Sequence, residues 1–195
     1  MKKIITLILV VGLLAAAAGC TSGKQSSSGA SSNPSSSISQ PSSEAPKAEP
    51  TLAEIHKAVK DVYGENYIPS SEITEQQLAE TYGLNMDDVE EFIAEGPMMS
   101  AHVDQFIAIK AKPGKGPEIE KALTAYRDQL VNDTMQYPSN LPKIQSSEVV
   151  ANGDYVFFVM LGAMNENMDA TEEELAEHAK NEVKKGVDKI KEFFK

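Results

Sequence analysis

Val149-Val150-Ala151-Asn152-Gly153-Asp154-Tyr155-Val156-Phe157-Phe158-Val159-Met160-Leu161 is the stretch whose reading decides the fold. Two β-rich runs flank Asn152-Gly153-Asp154, and Asn-Gly between apolar runs is the strongest short-range signal for a hairpin. The second run, residues 155–161, is apolar at every position instead of alternating. A strand of that kind is covered on both faces, which predicts a place at the centre of a sheet.

Working upstream, residues 102–112 predict another strand. Val103, Ile107, Ile109 and Ala111 face one way, and Asp104, Lys110 and Lys112 the other. Gln105 falls on the apolar side and Phe106 on the polar one, which points to a bulge or to a second covered face. Pro113-Gly114 breaks the strand. Gly116-Pro117 then starts a helix with proline at its first position, where the missing N–H costs nothing. Ile119, Leu123, Tyr126 and Leu130 form its apolar stripe, and Tyr137-Pro138 ends it. A loop containing Pro138 and Pro142 leads into the hairpin.

Downstream, residues 162–170 read as a polar loop. Thr171-Glu172-Glu173-Glu174 is a capping box, in which the threonine and the third helical residue satisfy each other's backbone N–H groups. Leu175, Ala179, Val183, Val187, Ile190 and Phe194 continue as the stripe of a long last helix. Its acids cluster at the start and its lysines at the end, as the helix dipole favours.

Three more helices are predicted ahead of the first strand. Thr51-Leu52-Ala53-Glu54 caps one with the stripe Leu52, Ile55, Val59 and Val62, and Gly64 ends it. His56 lies beside that stripe. Thr74 to Gln77 opens a second, stopped by Gly83. Asn85 or Met86 opens a third, with Asp87 and Asp88 in its first turn, Met86, Val89, Phe92 and Ile93 on its buried side, and Gly96-Pro97 closing it. The expected fold is α+β: a small three-stranded antiparallel sheet, split βαβ-like with order 1-3-2. Residues 155–161 are its centre, residues 103–112 and 147–151 its edges, and helices cover both faces. The crossover should be right-handed.

The first 50 residues are of another kind. Lys2 and Lys3 precede an apolar run from Ile4 to Ala18, which has the form of a secretory signal and is too short for a spanning helix. Ala17-Ala18-Gly19-Cys20 follows and is similar to a bacterial lipobox, with Ala17 where that pattern usually has leucine. This implies cleavage before Cys20 and lipid (palmitate-type acylation) on it; an ordinary signal peptide with an incidental cysteine is the alternative. Cys20 is the only cysteine, so no intramolecular disulfide exists. Residues 21–50 hold twelve serines and four prolines, too little apolar surface to offset the entropy of ordering, and read as a disordered tether. The expected organisation is thus a signal peptide over 1–19, a lipidated cysteine and tether over 20–50, and one globular domain over 51–195. That places the domain at the outer face of a membrane, held by its lipid.

The formal charge is −11. Lys2 and Lys3 lie in the leader, and the two lysines and two glutamates of the tether cancel, so the domain itself carries −13. That sign disfavours nucleic acid and direct adsorption to an anionic bilayer.

Tyr82-Gly83-Leu84, Asp87-Asp88-Val89-Glu90, Val103-Asp104-Gln105-Phe106 and Ile109-Lys110-Ala111-Lys112 carry a resemblance. So do Leu123 to Gln129, Tyr137-Pro138 and Val149 to Val156. Over most of residues 52–162 the chain resembles a family of uncharacterised lipoproteins of Gram-positive, clostridia-like bacteria, known as a domain of unknown function. The resemblance implies a surface lipoprotein and brings no catalytic residues with it.

No nucleophile elbow, phosphate-binding glycine loop, dinucleotide fingerprint or His-Glu-x-x-His sequence occurs. The histidines, His56, His102 and His178, fall in three separate elements. The acidic run Asp87, Asp88, Glu90, Glu91 lacks the alternating ligands and central glycine of a calcium loop and reads as a solvated helix face. Met98, Met99 and His102 lie close in sequence, and thioether with imidazole suits copper; filling gaps in a core is the commoner use of methionine. Arg127, the sole arginine, suits either a clamp on an acidic group or an ion pair with Asp128 or Asp133. No catalytic, cofactor or metal residue is assigned. The expectation is a non-catalytic binding or assembly module with a protein partner at the cell surface, the alternatives being a small-ligand or copper-type receptor and an enzyme.

Overall fold

A computed structural model describes residues 49–195 except Thr134. The leader, Cys20 and the tether up to residue 48 lie outside the described residues. The described chain contains five helices, α1 (Leu52–Tyr63), α2 (Glu75–Glu80), α3 (Gly116–Asn132), α4 (Leu141–Ser146) and α5 (Glu172–Glu192). Its five strands are β1 (Ser71–Glu72), β2 (Val89–Gly96), β3 (Gln105–Ala111), β4 (Glu148–Asn152) and β5 (Tyr155–Met160). The strands form one antiparallel sheet in the order β1-β2-β3-β5-β4.

The α+β class is as read from the sequence, but the three-stranded sheet is not. Within the sheet, β3-β5-β4 reproduces the expected 1-3-2 arrangement, with β5 antiparallel to both neighbours and β4 at the edge. β3 is not an edge strand, because β2 and then β1 extend the sheet beyond it. The cause lies in residues 86–96, read as a helix from the spacing Met86, Val89, Phe92, Ile93. Only Met86–Asp88 is helical, as one 3-10 turn, and Val89–Gly96 is a strand. A β-bulge between Val89 and Glu91 inserts an extra residue opposite β3. Two residues of alternation plus one of bulge put Val89 and Phe92 on the same face, three apart, which imitates a helical stripe.

β5 is buried at every position. Val156, Phe158 and Met160 face a layer built from α2, α3 and α4, with Leu78, Ile119, Leu123 and Ile144 in its core. Tyr155, Phe157 and Val159 face the other layer, in which α1 supplies Leu52, Ile55 and Val59 and α5 supplies Val183, Val187 and Ile190. The stripe of α1 ends at buried Tyr63, and Val62 is exposed. β3 resolves its mixed pattern in the same way: Phe106 and Ala108 face α1, and Ile107 and Ile109 face α3. Gln105 lies on the α3 side and is satisfied there, its Oε1 accepting hydroxyl protons from Tyr82 at 3.2 Å and Tyr126 at 3.1 Å.

All three predicted capping boxes form, at Thr51, Thr74 and Thr171. The hairpin turn does more than reverse the chain. Gly153 takes a positive φ of 58°. Asp154 accepts N–H bonds from Gly114 and Gly116, both at 3.0 Å, and so caps α3 from across the fold. Gly116 has to be glycine, since a Cβ there would stand 2.1 Å from the Gly153 carbonyl oxygen. The N–H donors of Gly114 and Gly116 hold the Asp154 carboxyl below the usual aspartate range.

Two outcomes follow from this packing. Truncating Phe157 or Phe158 to alanine should each cost about 3–5 kcal/mol in chemical denaturation, since both are fully buried, on opposite faces. Asp154 has a lowered folded pKa, so its contribution is complete above the ordinary aspartate value near ~3.9 and fades as pH falls below it. Asp154→Asn should therefore lower the melting temperature at neutral pH, with a gap to the parent protein that narrows between about pH 4 and pH 2. A gap that stays constant across that range would exclude the carboxylate as the cap.

Candidate functional site

The two ends of the sheet differ in kind. At the hairpin-turn end the described chain begins, with the Tyr155 hydroxyl donating to the Pro50 carbonyl at 3.1 Å. An open cavity of about 510 Å³ lies there, lined by Glu90, Lys110, Asp154, Tyr155 and Phe194 among others. At the opposite end three connections come together: 97–104 between β2 and β3 and 161–171 between β5 and α5, placed by strand register, and 133–140 between α3 and α4, linked to the first through Asn140.

Those three connections carry the exposed methionines. Met98 and Met99 stand on the first, Met135 and Tyr137 on the second, Met164 and Met168 on the third. Met168 is 96% exposed and Met135 is 89% exposed. Apart from Val62, these six are all the exposed large apolar side chains among the described residues. Scattered single apolar residues are ordinary on a surface, and their confinement to one end sets that end apart from the rest of the described surface.

Beneath these exposed side chains the backbone is fastened. Asp104 and Lys143 form a buried ion pair at 2.7 Å that joins the start of β3 to α4. The Asn140 side chain donates to the Ala101 carbonyl at 3.2 Å, joining the first connection to the second. Arg127 donates from Nε to the Ser147 carbonyl at 2.6 Å and from a terminal nitrogen to the Gln145 carbonyl at 3.1 Å. It therefore closes the C-terminal end of α4, and its contact with Asp128 is the looser one at 3.4 Å. The third connection is held at Ala163, whose N–H donates to Glu182 at 3.2 Å and whose carbonyl lies 3.1 Å from His178 Nε2. Burial pushes the Glu182 carboxyl up, but Lys185 and the Ala163 N–H outweigh it and hold it below the ordinary range.

Between α4 and the first half of α5 runs a groove of three adjoining hollows. The first, about 230 Å³, is lined by Lys143, Met164, Met168, Leu175 and His178 among others. The next, about 420 Å³, shares Ser139, Pro142 and Leu175 with it. The last, about 590 Å³, shares Gln145 and Ala176 with the second and reaches Arg127 and Lys180. α4 was hidden in the sequence by Pro138 and Pro142. Pro142 sits in the first turn of the helix, where proline is tolerated, and that position was the signal available.

The structure separates the other sequence candidates. Met98 and Met99 point their thioethers into solvent, and His102 is half-buried with its backbone N–H on the Met99 carbonyl. His56 joins a different cluster: its Nε2 lies 3.1 Å from Glu95 and 3.2 Å from the Tyr67 hydroxyl, and its ring stacks on Phe106. His178 fixes the loop over the groove. Among the described residues no group of three or more His, Cys, Asp or Glu side chains is placed to hold a metal ion. Nor is any described helix long and apolar enough to cross a membrane.

These features define a five-stranded antiparallel sheet between two helical layers, with an apolar, loop-built end. The chain belongs to the family described as a domain of unknown function, DUF4358, whose model matches residues 62–161. That segment contains all five strands with α2, α3 and α4. No curated protein and no solved structure matches the chain.

The buried ion pair yields a direct test. Lys143→Met leaves Asp104 buried without a counter-charge and should cost about 3–5 kcal/mol in urea unfolding. Adding Asp104→Leu should recover most of the loss, since a buried pair is often replaceable by apolar side chains. A double variant no more stable than Lys143→Met would show that the pair is not an isolated unit.

Proposed function

We propose that this chain is a non-catalytic binding or assembly module, carried on the outer face of a membrane by a lipid on Cys20. The observation that carries the reading is the gathering of Met98, Met99, Met135, Tyr137, Met164 and Met168 at one end of the sheet. Exposed apolar side chains gathered at one end of a domain are a recurring mark of an interaction surface. Methionine adapts its shape to irregular partners, which suits a protein surface better than a fixed small ligand.

Electrostatics support the same reading. The carboxylates with displaced pKa values, Glu54, Asp154, Glu174, Glu182, Asp188 and Glu192, are all displaced downward, by N–H or hydroxyl donors or by lysines. Carboxylates held below their ordinary range stay charged at neutral pH, which keeps an acidic surface available to a cationic partner. The small-ligand reading rests on the hollows between α4 and α5: those of about 420 and 590 Å³ fall within the roughly 300–1,000 Å³ usual for ligand pockets, and the one at Met164 and His178, about 230 Å³, falls below it.

The described chain begins at the end of the sheet remote from the methionines. A lipid-borne domain attached there would leave its apolar end free to meet a partner. Cys20→Ala should send the chain into the medium, read by immunoblot of cells and supernatant, and unchanged retention would sink the lipid anchor. Photo-crosslinkers at Met99 and Met135 should capture a surface protein, and non-covalent binding of that partner, measured without crosslinking, should weaken from low to high salt, because exposed charges are screened beyond ~8 Å at physiological ionic strength. Turnover of a small substrate, abolished by one carboxylate or histidine change, would replace this reading with an enzymatic one.

A further inference from the structure

The groove between α4 and α5 has properties that specify what would fill it. It follows α5 from Glu172 to Lys180, a rise of roughly 12 Å, or a little over two helical turns. Its floor is apolar, from Pro142, Ala163, Leu175 and Ala176, and Met164 and Met168 stand over one end. Its rim is acidic, with Glu148, Glu172, Glu173 and Glu177 along the lining. Glu172, Glu173 and Glu177 are exposed.

The cations of the lining offset those acids only in part. Lys143 is paired with Asp104, whereas Arg127, bonded to the Ser147 and Gln145 carbonyls and to Asp128, keeps its charge at one end of the groove. Among the described residues Lys180 is the single further lysine or arginine of the lining, so four glutamates face two cations that lack a buried partner. Glu166 and Asp169 add two more exposed acids on the loop that carries the methionines.

We propose that this groove receives a basic amphipathic helix from a protein partner. This names the partner class for the surface-binding reading and rests on it. An apolar stripe of long side chains would lie against Leu175 and under the two thioethers, and lysines or arginines flanking that stripe would meet the glutamates of the rim. Thioethers tolerate many apolar sequences in that position, so recognition falls mainly on the charge pattern. A groove of about two turns seats the anchor residues of such a helix, at positions i, i+4 and i+7.

The test uses the full chain in nanodiscs of zwitterionic lipid, which give a basic peptide no anionic surface to bind. The probe is a fluorescent 18-residue peptide of leucine and lysine arranged with one apolar face, compared with its leucine and glutamate counterpart. Saturable binding of the lysine peptide is expected, with no measurable binding of the glutamate peptide. Glu173→Lys with Glu177→Lys should weaken the lysine peptide about tenfold, and Met164→Ser with Met168→Ser by about as much. Glu65→Lys with Glu120→Lys makes the same change in net charge at exposed sites off the groove, and should change affinity less than threefold. Equal weakening by that control pair would reduce the effect to net charge and overturn the groove. Absence of binding, or equal binding of the two peptides, would overturn it also. A partner identified on cells whose non-covalent binding ignores the groove variants would remove this inference and leave the surface-binding reading standing.

Discussion

A strand with no outward polar side chain has to be covered twice, and that constraint on β5 organises the molecule. Val156, Phe158 and Met160 require one helical layer, and Tyr155, Phe157 and Val159 another. Each large side chain buried this way contributes about 1.5–3 kcal/mol relative to exposure, so neither face can be left open. The layer of α2, α3 and α4 comes from the segment that matches the family. The second comes from α1 and α5, which lie almost wholly on either side of that segment. These flanking helices are tied to one another as well as to the sheet: the Tyr63 hydroxyl donates to the Glu182 carbonyl at 2.9 Å and accepts from the Gly186 N–H at 3.0 Å. A side chain at position 186 would collide with that hydroxyl at 2.8 Å, which fixes how closely α1 and α5 approach.

The sequence shows what is local and conceals what is not. The hairpin, the buried β5, the capped helices and the order of β3, β5 and β4 all follow from turn chemistry, capping residues and unbroken apolar runs. β2 escapes because its bulge at Glu90 turns a period of two into a spacing of three, and Asp87 and Asp88 ahead of it look like a helix start. The pattern of β3 contains the correction in outline. Phe106 and Ala108 on a nominally polar face require a second cover, and a strand covered on both faces is poorly suited to an edge.

The candidate site was legible only in fragments, for a related reason. Each of the three connections shows its methionines in the sequence, but only strand register and the Asn140 link place them at one end. Asp104 and Lys143 lie 39 residues apart, Asp104 on the polar side of its strand pattern and Lys143 in a stretch that reads as a loop. Arg127 was recognisable as a residue able to clamp or to pair with Asp128; it does contact Asp128, at 3.4 Å, but its shorter bonds go to backbone carbonyls, a choice set by where α4 ends.

The methionine-bearing end thus combines a fixed base with adaptable tips. Asp104–Lys143, Asn140 to Ala101, and His178 and Glu182 on Ala163 hold the three connections at their roots. Side chains with three rotatable bonds extend from that base into water. A surface built this way loses little backbone entropy when it is covered, because the backbone is already ordered, and the thioethers supply the fit. On the proposed reading, the exposed acids on the loop and on the first turns of α5 would act earlier, at longer range, by raising the rate at which a cationic partner arrives. Encounter and fit would then fall to different side chains of the same end. That division would allow one rigid fold to meet partners that share charge and amphipathic pattern more closely than they share sequence.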